Sequence, residues 1–205
     1  IDGSTATLDG FKYNLKDPSA FQVTWSNTPT SAQAGVTGNG SNQYGATGLI
    51  PNSVMTLNNT GLTYSSATTG GSGTLFGISA RVTNSNTLEL FQAIPGSAYS
   101  QQYNNNSSEG RLSFTTGADG VFTGSRTSIS SHNLYKNGSS IASQATTGGT
   151  LPNIELYLMA GNSSGTPVFY DDRTFDFFAI HQGLTANQAK DFYDAITTYN
   201  TALGR

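Results

Sequence analysis

The chain has 205 residues, of which 35% are hydrophobic, and this is enough apolar side chain for one domain with a sizeable core. Charged residues make up only 10%, the net charge is −3 and no basic run occurs, which excludes a nucleic-acid interface of the usual basic kind. The absence of cysteine excludes disulfides and thiolate metal sites.

Neither a bilayer-spanning apolar stretch nor a signal peptide is found in the sequence, so we expect no membrane insertion. The chain begins Ile1-Asp2-Gly3 without methionine, and we therefore expect it to be a processed or excised part of a longer protein. We predict a single domain over residues 1–205, in which residues 1–20 are a lead-in segment from that parent protein.

Short runs rich in Val, Ile, Phe, Tyr and Thr alternate with turn signals about every ten residues, which is typical of a β-sandwich or barrel. The predicted strands are residues 21–25, 74–82, 88–91, 110–114, 120–124, 154–160 and 173–180. Residues 65–73 and 99–109 are polar and turn-prone, and we predict loops there. Asn137-Gly138 predicts a type I′ turn in a hairpin over residues 132–142, because both residues tolerate positive φ.

The C-terminal segment predicts one amphipathic helix. Thr185 is placed as its N-cap, and Gln188 three residues later completes a capping box. An apolar face follows at helical spacing and comprises Ala189, Phe192, Tyr193, Ile196, Tyr199 and Leu203. Gly204 ends the helix after about five turns. We interpret the aromatic stripe as core packing rather than as a ligand site.

A glycoside hydrolase needs two carboxylates that flank the scissile bond at a defined separation. The candidates are Glu89, Glu155, Asp171, Asp172 and Asp176. Glu89 and Glu155 stand alone in their predicted strands. Asp172 and Asp176 would share a strand face about 13 Å apart, which is longer than either glycosidase geometry allows. Solvated or arginine-paired acids are therefore the favoured interpretation.

Other chemistries have few candidate residues. A polysaccharide lyase needs a Tyr or His base beside an Arg or Lys, and the neighbouring His132, Arg126, Tyr135 and Lys136 leave this alternative open. The predicted hairpin explains the same residues without chemistry. His132 and His181 are the only histidines and are far apart in sequence, so they do not make a zinc site. No nucleophile elbow, phosphate loop or dinucleotide fingerprint is present.

Ligand binding has better candidates. A sugar site needs flat aromatic faces with hydrogen-bonding side chains nearby, and one polar segment supplies both through Tyr99, Tyr103, Asn104, Asn105, Asn106 and Arg111. An ordinary polar loop is the alternative interpretation. Calcium is the one cofactor left open, with Asp171, Asp172 and the same three asparagines as candidate ligands. Turn formation explains these Asn and Asp residues equally well.

Several segments resemble a concanavalin A-like (laminin-G-like) jelly-roll domain of bacteriophage virion and tail proteins and of bacterial surface proteins. The matching segments are residues 11–18, 38–44, 124–127, 134–138, 151–154 and 161–167. The most specific match is the ending, with Gly183-Leu184-Thr185, Phe192-Tyr193-Asp194-Ala195 and Leu203-Gly204-Arg205. The resemblance is loose before residue 110 and close after it. It implies an all-β jelly-roll of two antiparallel sheets with one C-terminal α-helix, and it brings no catalytic motif.

Together these observations favour a non-catalytic recognition module that binds carbohydrate or a cell surface, in a phage virion or tail or in a secreted bacterial protein. The expected partner is a glycan or a cell-surface receptor, and the expected location is a virion or the extracellular surface. The first alternative is a structural or decoration module that forms homo-oligomers or attaches to a larger particle. The second is a polysaccharide-active hydrolase or lyase.

Overall fold

The computed structural model describes residues 7–94, 96–102, 111–145 and 149–205. Within these ranges nine strands form the first sheet and seven form the second. The first sheet has the order β1 (Thr24–Ser26), β4 (Tyr44–Ala46), β13 (Tyr157–Leu158), β6 (Gly73–Thr83), β7 (Asn86–Ile94), β8 (Ser97–Gln102) and β9 (Arg111–Thr115). β14 (Gly161–Ser163) pairs with β6 and with β15 (Thr166–Val168) beside this path.

The second sheet has the order β12 (Ser139–Gln144), β11 (Ser131–Lys136), β10 (Gly120–Ser128), β5 (Thr60–Ser66), β16 (Thr174–His181), β3 (Gly35–Thr37) and β2 (Thr30–Ala32). Among the described strands every pairing is antiparallel except one parallel bridge between Ser163 of β14 and Arg81 of β6. The architecture is therefore a jelly-roll sandwich of two antiparallel sheets, as the sequence resemblance implies.

The hydrophobic core lies between the two sheets. Successive side chains of a strand point to opposite faces, so Leu88 and Leu90 of β7 enter the core while Glu89 and Phe91 point outward. The second sheet contributes the fully buried side chains Leu62, Tyr64, Phe122, Leu134 and Phe175 from its central strands. Each such side chain contributes about 1.5–3 kcal/mol when it leaves water.

The predicted C-terminal helix is confirmed as α2 (Ala186–Ala202). The Thr185 side chain accepts a hydrogen bond from the Gln188 backbone N–H, and the Gln188 side chain binds the Thr185 N–H in return. Phe192 and Tyr199 of the helix contact Phe177 of β16 edge-on, with ring centroids 6.1 and 6.2 Å apart. The helix thus packs on the outer surface of the second sheet. Gly204 follows it with a φ of 73°, as expected for a helix stop.

The sequence pattern did not indicate two further single turns. These are the α-helix α1 (Pro51–Val54) and a 3-10 turn over Leu8–Phe11. Each has four residues, which is too short for a helical repeat of apolar side chains to show in the sequence.

The hairpin prediction is confirmed, with φ of 50° at Asn137 and 73° at Gly138 between β11 and β12. Two strand predictions are largely wrong. Residues 21–25 contribute only the start of β1, and residues 154–160 contribute only Tyr157–Leu158. In both cases a non-glycine residue with positive φ, Phe21 at 52° and Met159 at 63°, turns the chain away from the extended conformation.

Both loop predictions are wrong at their ends. The predicted loop over residues 65–73 overlaps β5, which runs through Ser66, and β6, which begins at Gly73. The predicted loop over residues 99–109 overlaps β8, which includes residues 99–102. These residues are polar, but hydrogen bonds to neighbouring strands hold them in the sheets. A polar composition was therefore a poor guide to the ends of the strands.

Candidate functional site

The outward-facing side of strands β6–β9 carries two adjacent cross-strand rows of side chains, which we call the outer face. Paired positions place Ser79, Glu89, Gln101 and Arg111 in one row. The next row contains Phe76, Phe91 and Tyr99. Residues that pair across neighbouring strands lie on the same side of a sheet, so the polar and the aromatic row stand side by side.

The aromatic row is a continuous stack. The rings stack in the order Phe169, Phe76, Phe91 and Tyr99, where Phe169 follows β15. The distances between successive ring centroids are 5.7, 4.5 and 4.8 Å. The guanidinium carbon of Arg111 stands 4.2 Å from the centroid of the Tyr99 ring. Phe169 is 52% exposed, whereas Phe76 and Phe91 are buried. The stack therefore joins an exposed aromatic ring at one end to a cation–π pair at the other.

The polar row contains a buried acid. Glu89 is 1% exposed, and its Oε1 accepts a hydrogen bond of 2.8 Å from the Ser79 hydroxyl and lies 3.5 Å from the Arg81 Nε. Its Oε2 and the Oε1 of Gln101 have no hydrogen-bond partner in the part of the chain that the structure describes. Burial raises the pKa of Glu89 to about 7, against the opposing effects of Arg81, the Ser79 hydroxyl and Arg111.

Replacing Glu89 with glutamine is expected to remove a pH dependence of stability. Because the pKa of Glu89 is raised from 4.5 to about 7, the folded chain holds this proton more tightly than the unfolded chain. The resulting stability is fully present below pH 4.5 and is lost as the pH rises through 7. One pKa unit corresponds to about 1.4 kcal/mol, so the free energy of unfolding should fall by about 3 kcal/mol over this window.

Urea unfolding of the parent and of Glu89→Gln at pH 5 and pH 8 measures this difference. Glu155→Gln is the matched control, because the Oε2 of Glu155 accepts a hydrogen bond from the Gly48 N–H away from the polar row. The control should keep the parent's pH dependence. Identical pH profiles for the parent and Glu89→Gln would contradict the prediction.

Two of the six predicted ligand-binding residues, Tyr99 and Arg111, are in contact on the outer face. The other four, Tyr103, Asn104, Asn105 and Asn106, lie outside the described residues. Phe91 and Gln101 also belong to these two rows and were not among the predicted site residues. The alternation Leu88-Glu89-Leu90-Phe91 was the available signal, because a period of two places Glu89 and Phe91 together on the side away from the core.

The calcium candidates have other partners. Both carboxylate oxygens of Asp171 accept hydrogen bonds from Arg173, the shortest at 2.6 Å, and both side chains are fully buried. Both oxygens of Asp172 accept from the Gly71 N–H, at 2.9 and 3.0 Å. Within the described ranges no three His, Cys, Asp or Glu residues come together as metal ligands. The described carboxylates therefore do not support calcium binding, which stays a prediction.

The remaining acids are dispersed. Asp172 precedes β16 while Asp176 lies within it, so the expectation that they share a strand face is wrong. The side chain of Glu155 binds the Gly48 N–H, and Glu89 belongs to the polar row of the first sheet. Among the described residues these acids therefore sit on different elements with different surroundings, whereas a glycosidase places two carboxylates about 5–9.5 Å apart across a substrate cleft.

Three of the four lyase candidates lie inside the molecule. His132 is 0% exposed, and its Nε2 lies 3.0 Å from the Ser100 hydroxyl across the sandwich. Burial, together with Arg126, lowers the pKa of His132 to about 3, so the imidazole is neutral. Arg126 and Tyr135 are also buried. A polysaccharide therefore has no access to these three, while Lys136 is half-buried, so the structure does not support lyase chemistry at this set, which stays an alternative.

No protein-family model matches the chain, and no curated protein matches its sequence. Solved structures do match. The CBM40 module of Ruminococcus gnavus IT-sialidase, bound to α2,3-sialyllactose, has a TM-score of 0.53 and 12% identity, and the match covers 67% of this chain and 83% of that one. A botulinum neurotoxin type C chain, which depends on two ganglioside molecules to enter cells, has a TM-score of 0.58 and 11% identity.

The match with the botulinum neurotoxin type C chain covers 88% of this chain and 48% of the toxin chain. The binding domain of botulinum neurotoxin DC, in complex with SialylT, has a TM-score of 0.53 and 10% identity, and covers 86% of this chain and 45% of its own. The chain thus spans about half the length of the toxin chains. At such low identity these likenesses show the fold alone, which is a β-sandwich. None of the described helices is long and apolar enough to cross a membrane.

Proposed function

We propose that the chain is a non-catalytic carbohydrate-binding module that acts outside the cell and binds glycans of a cell surface through its outer face. The observation that carries this proposal is the Arg111 guanidinium held over the Tyr99 ring at one end of the aromatic stack. Phe91 and Arg111 both stack against the Tyr99 ring, so this ring orients the guanidinium, and a planar cation held in this way binds hydroxyl or carboxylate groups.

The arrangement of the outer face supports an acidic sugar as the ligand. A guanidinium binds a carboxylate with two parallel hydrogen bonds, and Arg111 is already oriented by its contact with Tyr99. Gln101 of the same row is buried, so direct contact with a ligand falls to the half-buried Tyr99 and Arg111. The CBM40 module of the same fold binds α2,3-sialyllactose, so this trisaccharide is the first ligand to test, with lactose as the neutral comparison.

Calorimetric titration of the parent chain with α2,3-sialyllactose and with lactose tests the proposal. We expect sialyllactose to bind and Arg111→Gln to weaken binding by about 10- to 100-fold, since a hydrogen bond to a charged group contributes about 1.5–3 kcal/mol. Tyr99→Leu removes the ring that orients the Arg111 guanidinium and should also weaken sialyllactose binding. Lys190→Gln is the matched control, because Lys190 lies 6.0 Å from the Tyr193 ring on the far side of the molecule.

The control should bind like the parent. A glycan array on which the parent binds no acidic or neutral glycan would overturn the proposed function. Full binding by both Arg111→Gln and Tyr99→Leu would instead show that the glycan binds away from the outer face.

We further propose that residues 1–205 form one domain, with residues 1–20 leading in from a longer protein of a phage virion, phage tail or bacterial surface. Support comes from the sequence resemblance of the segments after residue 110 and from the single sandwich that matches 67–88% of the chain. The alternative, a structural module that assembles with copies of itself or with a particle, stays a prediction. Sedimentation velocity separates the two, since a module that only binds glycan needs no self-association.

A further inference from the structure

The buried acid Glu89 of the outer face lies between two arginines. Its Oε1 is 3.5 Å from the Nε of Arg81, whose side chain is 25% exposed. On the other side, the paired positions run from Glu89 through Gln101 to Arg111. Neighbouring strands lie about 4.8 Å apart, so the backbones of Glu89 and Arg111 are about 10 Å apart. One carboxyl group therefore stands between two cations, one of which belongs to the proposed glycan-binding site.

Glu89 is hydrogen-bonded at only one of its two carboxyl oxygens. The Ser79 hydroxyl donates to Oε1 at 2.8 Å, and the Ser79 oxygen in turn accepts from the Asn162 N–H at 3.3 Å. Oε2 is buried and has no partner among the described residues. A buried carboxylate needs several donors to stay ionised, whereas the protonated acid needs fewer. A proton on Oε2 thus breaks no hydrogen bond, which agrees with the pKa of Glu89 being raised to about 7.

Only the two arginines among the described residues act on Glu89 with a full charge. The remaining polar side chains around it carry hydroxyl or amide groups, namely Ser79, Tyr99, Tyr157, Gln101 and Asn162. Burial raises the pKa of Tyr157 above its ordinary value of 10, so this phenol is neutral where Glu89 titrates. Glu89, Arg81 and Arg111 together therefore carry a net charge of +2 when Glu89 is protonated and +1 when it is ionised.

We propose that Glu89 determines how strongly the outer face binds an acidic sugar, tightly when Glu89 is protonated and weakly when it is ionised. This role of Glu89 rests on the proposed function, because it concerns the same site. Glu89 is 1% exposed and acts without touching the glycan. A sugar carboxylate on Arg111 meets a second negative charge across the row only when Glu89 is ionised, and like charges at this range repel. A neutral sugar is indifferent to that charge.

Calorimetric titration with α2,3-sialyllactose at pH 5.5 and pH 8.5 tests this inference. The sugar carboxylate is ionised at both pH values, because an α-carboxyl group ordinarily loses its proton below about pH 4. We expect the parent chain to bind sialyllactose about 3- to 10-fold more tightly at pH 5.5 than at pH 8.5. Any binding of lactose should be the same at both pH values.

Glu89→Gln makes the test specific. Glutamine keeps an acceptor for the Ser79 hydroxyl and has no charge, so this variant should bind sialyllactose at pH 8.5 as tightly as the parent does at pH 5.5. A variant that merely loosens the fold would lose affinity at pH 8.5 rather than gain it. Glu155→Gln is the matched control and should keep the parent's pH dependence, because Glu155 binds the Gly48 N–H. Circular dichroism at both pH values shows that each protein is folded.

A second measurement tests the link between Arg111 and Glu89 without any glycan. The chain has only three glutamates, Glu89, Glu109 and Glu155, so ¹³C-labelled glutamate gives three carboxyl signals, and Glu89→Gln assigns one of them. Arg111→Gln removes a cation and should raise the pH at which the Glu89 carboxyl titrates. Saturating the parent with sialyllactose should raise this midpoint by about 0.5–1 pH unit, because the coupling between proton and glycan is reciprocal.

Three results would overturn the role of Glu89 and leave the proposed function standing. These are equally tight binding of sialyllactose at both pH values, a Glu89→Gln variant that binds no more tightly than the parent at pH 8.5, and an Arg111→Gln variant in which the Glu89 carboxyl titrates as in the parent. A glycan array without binding of any glycan at either pH would overturn the proposed function, and the role of Glu89 with it.

Discussion

Replacing Arg173 with methionine is expected to lower the free energy of unfolding by about 3–5 kcal/mol, because it leaves the buried carboxylate of Asp171 without its partner. Both side chains are 0% exposed, and the Arg173 Nη2 lies 2.6 Å from the Asp171 Oδ2. The guanidinium also stands 4.9 Å from the Tyr64 ring and 4.8 Å from the Phe175 ring, in the middle of the core. Urea unfolding at pH 7 measures the change.

An exposed ion pair of the same length provides the matched control. Lys190 and Asp194 of α2 also approach to 2.6 Å, but both are more than half exposed. Lys190→Met should leave the free energy of unfolding nearly unchanged, since water screens such pairs. The double variant Asp171→Asn with Arg173→Met should recover part of the loss, because asparagine still accepts a hydrogen bond from the backbone N–H of residue 173 and carries no buried charge. Equal losses for Arg173→Met and Lys190→Met would contradict the prediction.

The second large effect is expected from His132 at acid pH. Burial lowers the pKa of His132 from 6.5 to about 3, so the unfolded chain binds this proton more readily than the folded chain. The corresponding stability is fully present above pH 6.5 and is lost as the pH falls through 3. At about 1.4 kcal/mol per pKa unit, the loss over the whole window is about 5 kcal/mol.

His132→Asn isolates this contribution, because asparagine can still bind the Ser100 hydroxyl but does not titrate. Burial also lowers the pKa of His181. Because His181 and the carboxylates are the same in both proteins, their contributions to the pH dependence cancel in the comparison. Between pH 7 and pH 4 the parent should lose about 3 kcal/mol more than the variant, as measured by urea unfolding. A parallel pH dependence of the two proteins would show that His132 is not held neutral by the fold.

Local signals in the sequence were sufficient for the elements that depend on neighbouring residues. The Thr185–Gln188 capping box and the Asn137-Gly138 turn each act within four residues, and both are present as predicted. The period-two pattern at residues 88–91 correctly separates core side chains from outward ones. The resemblance of the chain's ending to a jelly-roll family supplied the sandwich architecture, which local patterns alone leave open between a sandwich and a barrel.

Burial of polar side chains could not be predicted, because it depends on residues distant in sequence. His132 is buried by packing against Ser100, 32 residues away, and its hairpin gives no sign of this. Glu89 points away from the core and is nevertheless 1% exposed. The composition of residues 99–109 indicated a polar loop, whereas Tyr99 belongs to β8, which pairs with β9 and its Arg111. The aromatic stack across three strands became visible only with the register of the sheet.

The position of β5 in the centre of the second sheet has a consequence for how the chain folds. Thr63 of β5 contacts Thr123 on one side, 60 residues away, and His181 on the other, 118 residues away. Both neighbours must be brought from a distance along the chain before this sheet closes, which favours slow folding. Because β16 is synthesised after β10, one edge of β5 has no partner strand until β16 has left the ribosome. The strand most exposed to wrong pairing in that interval is therefore the one that ends as the most enclosed.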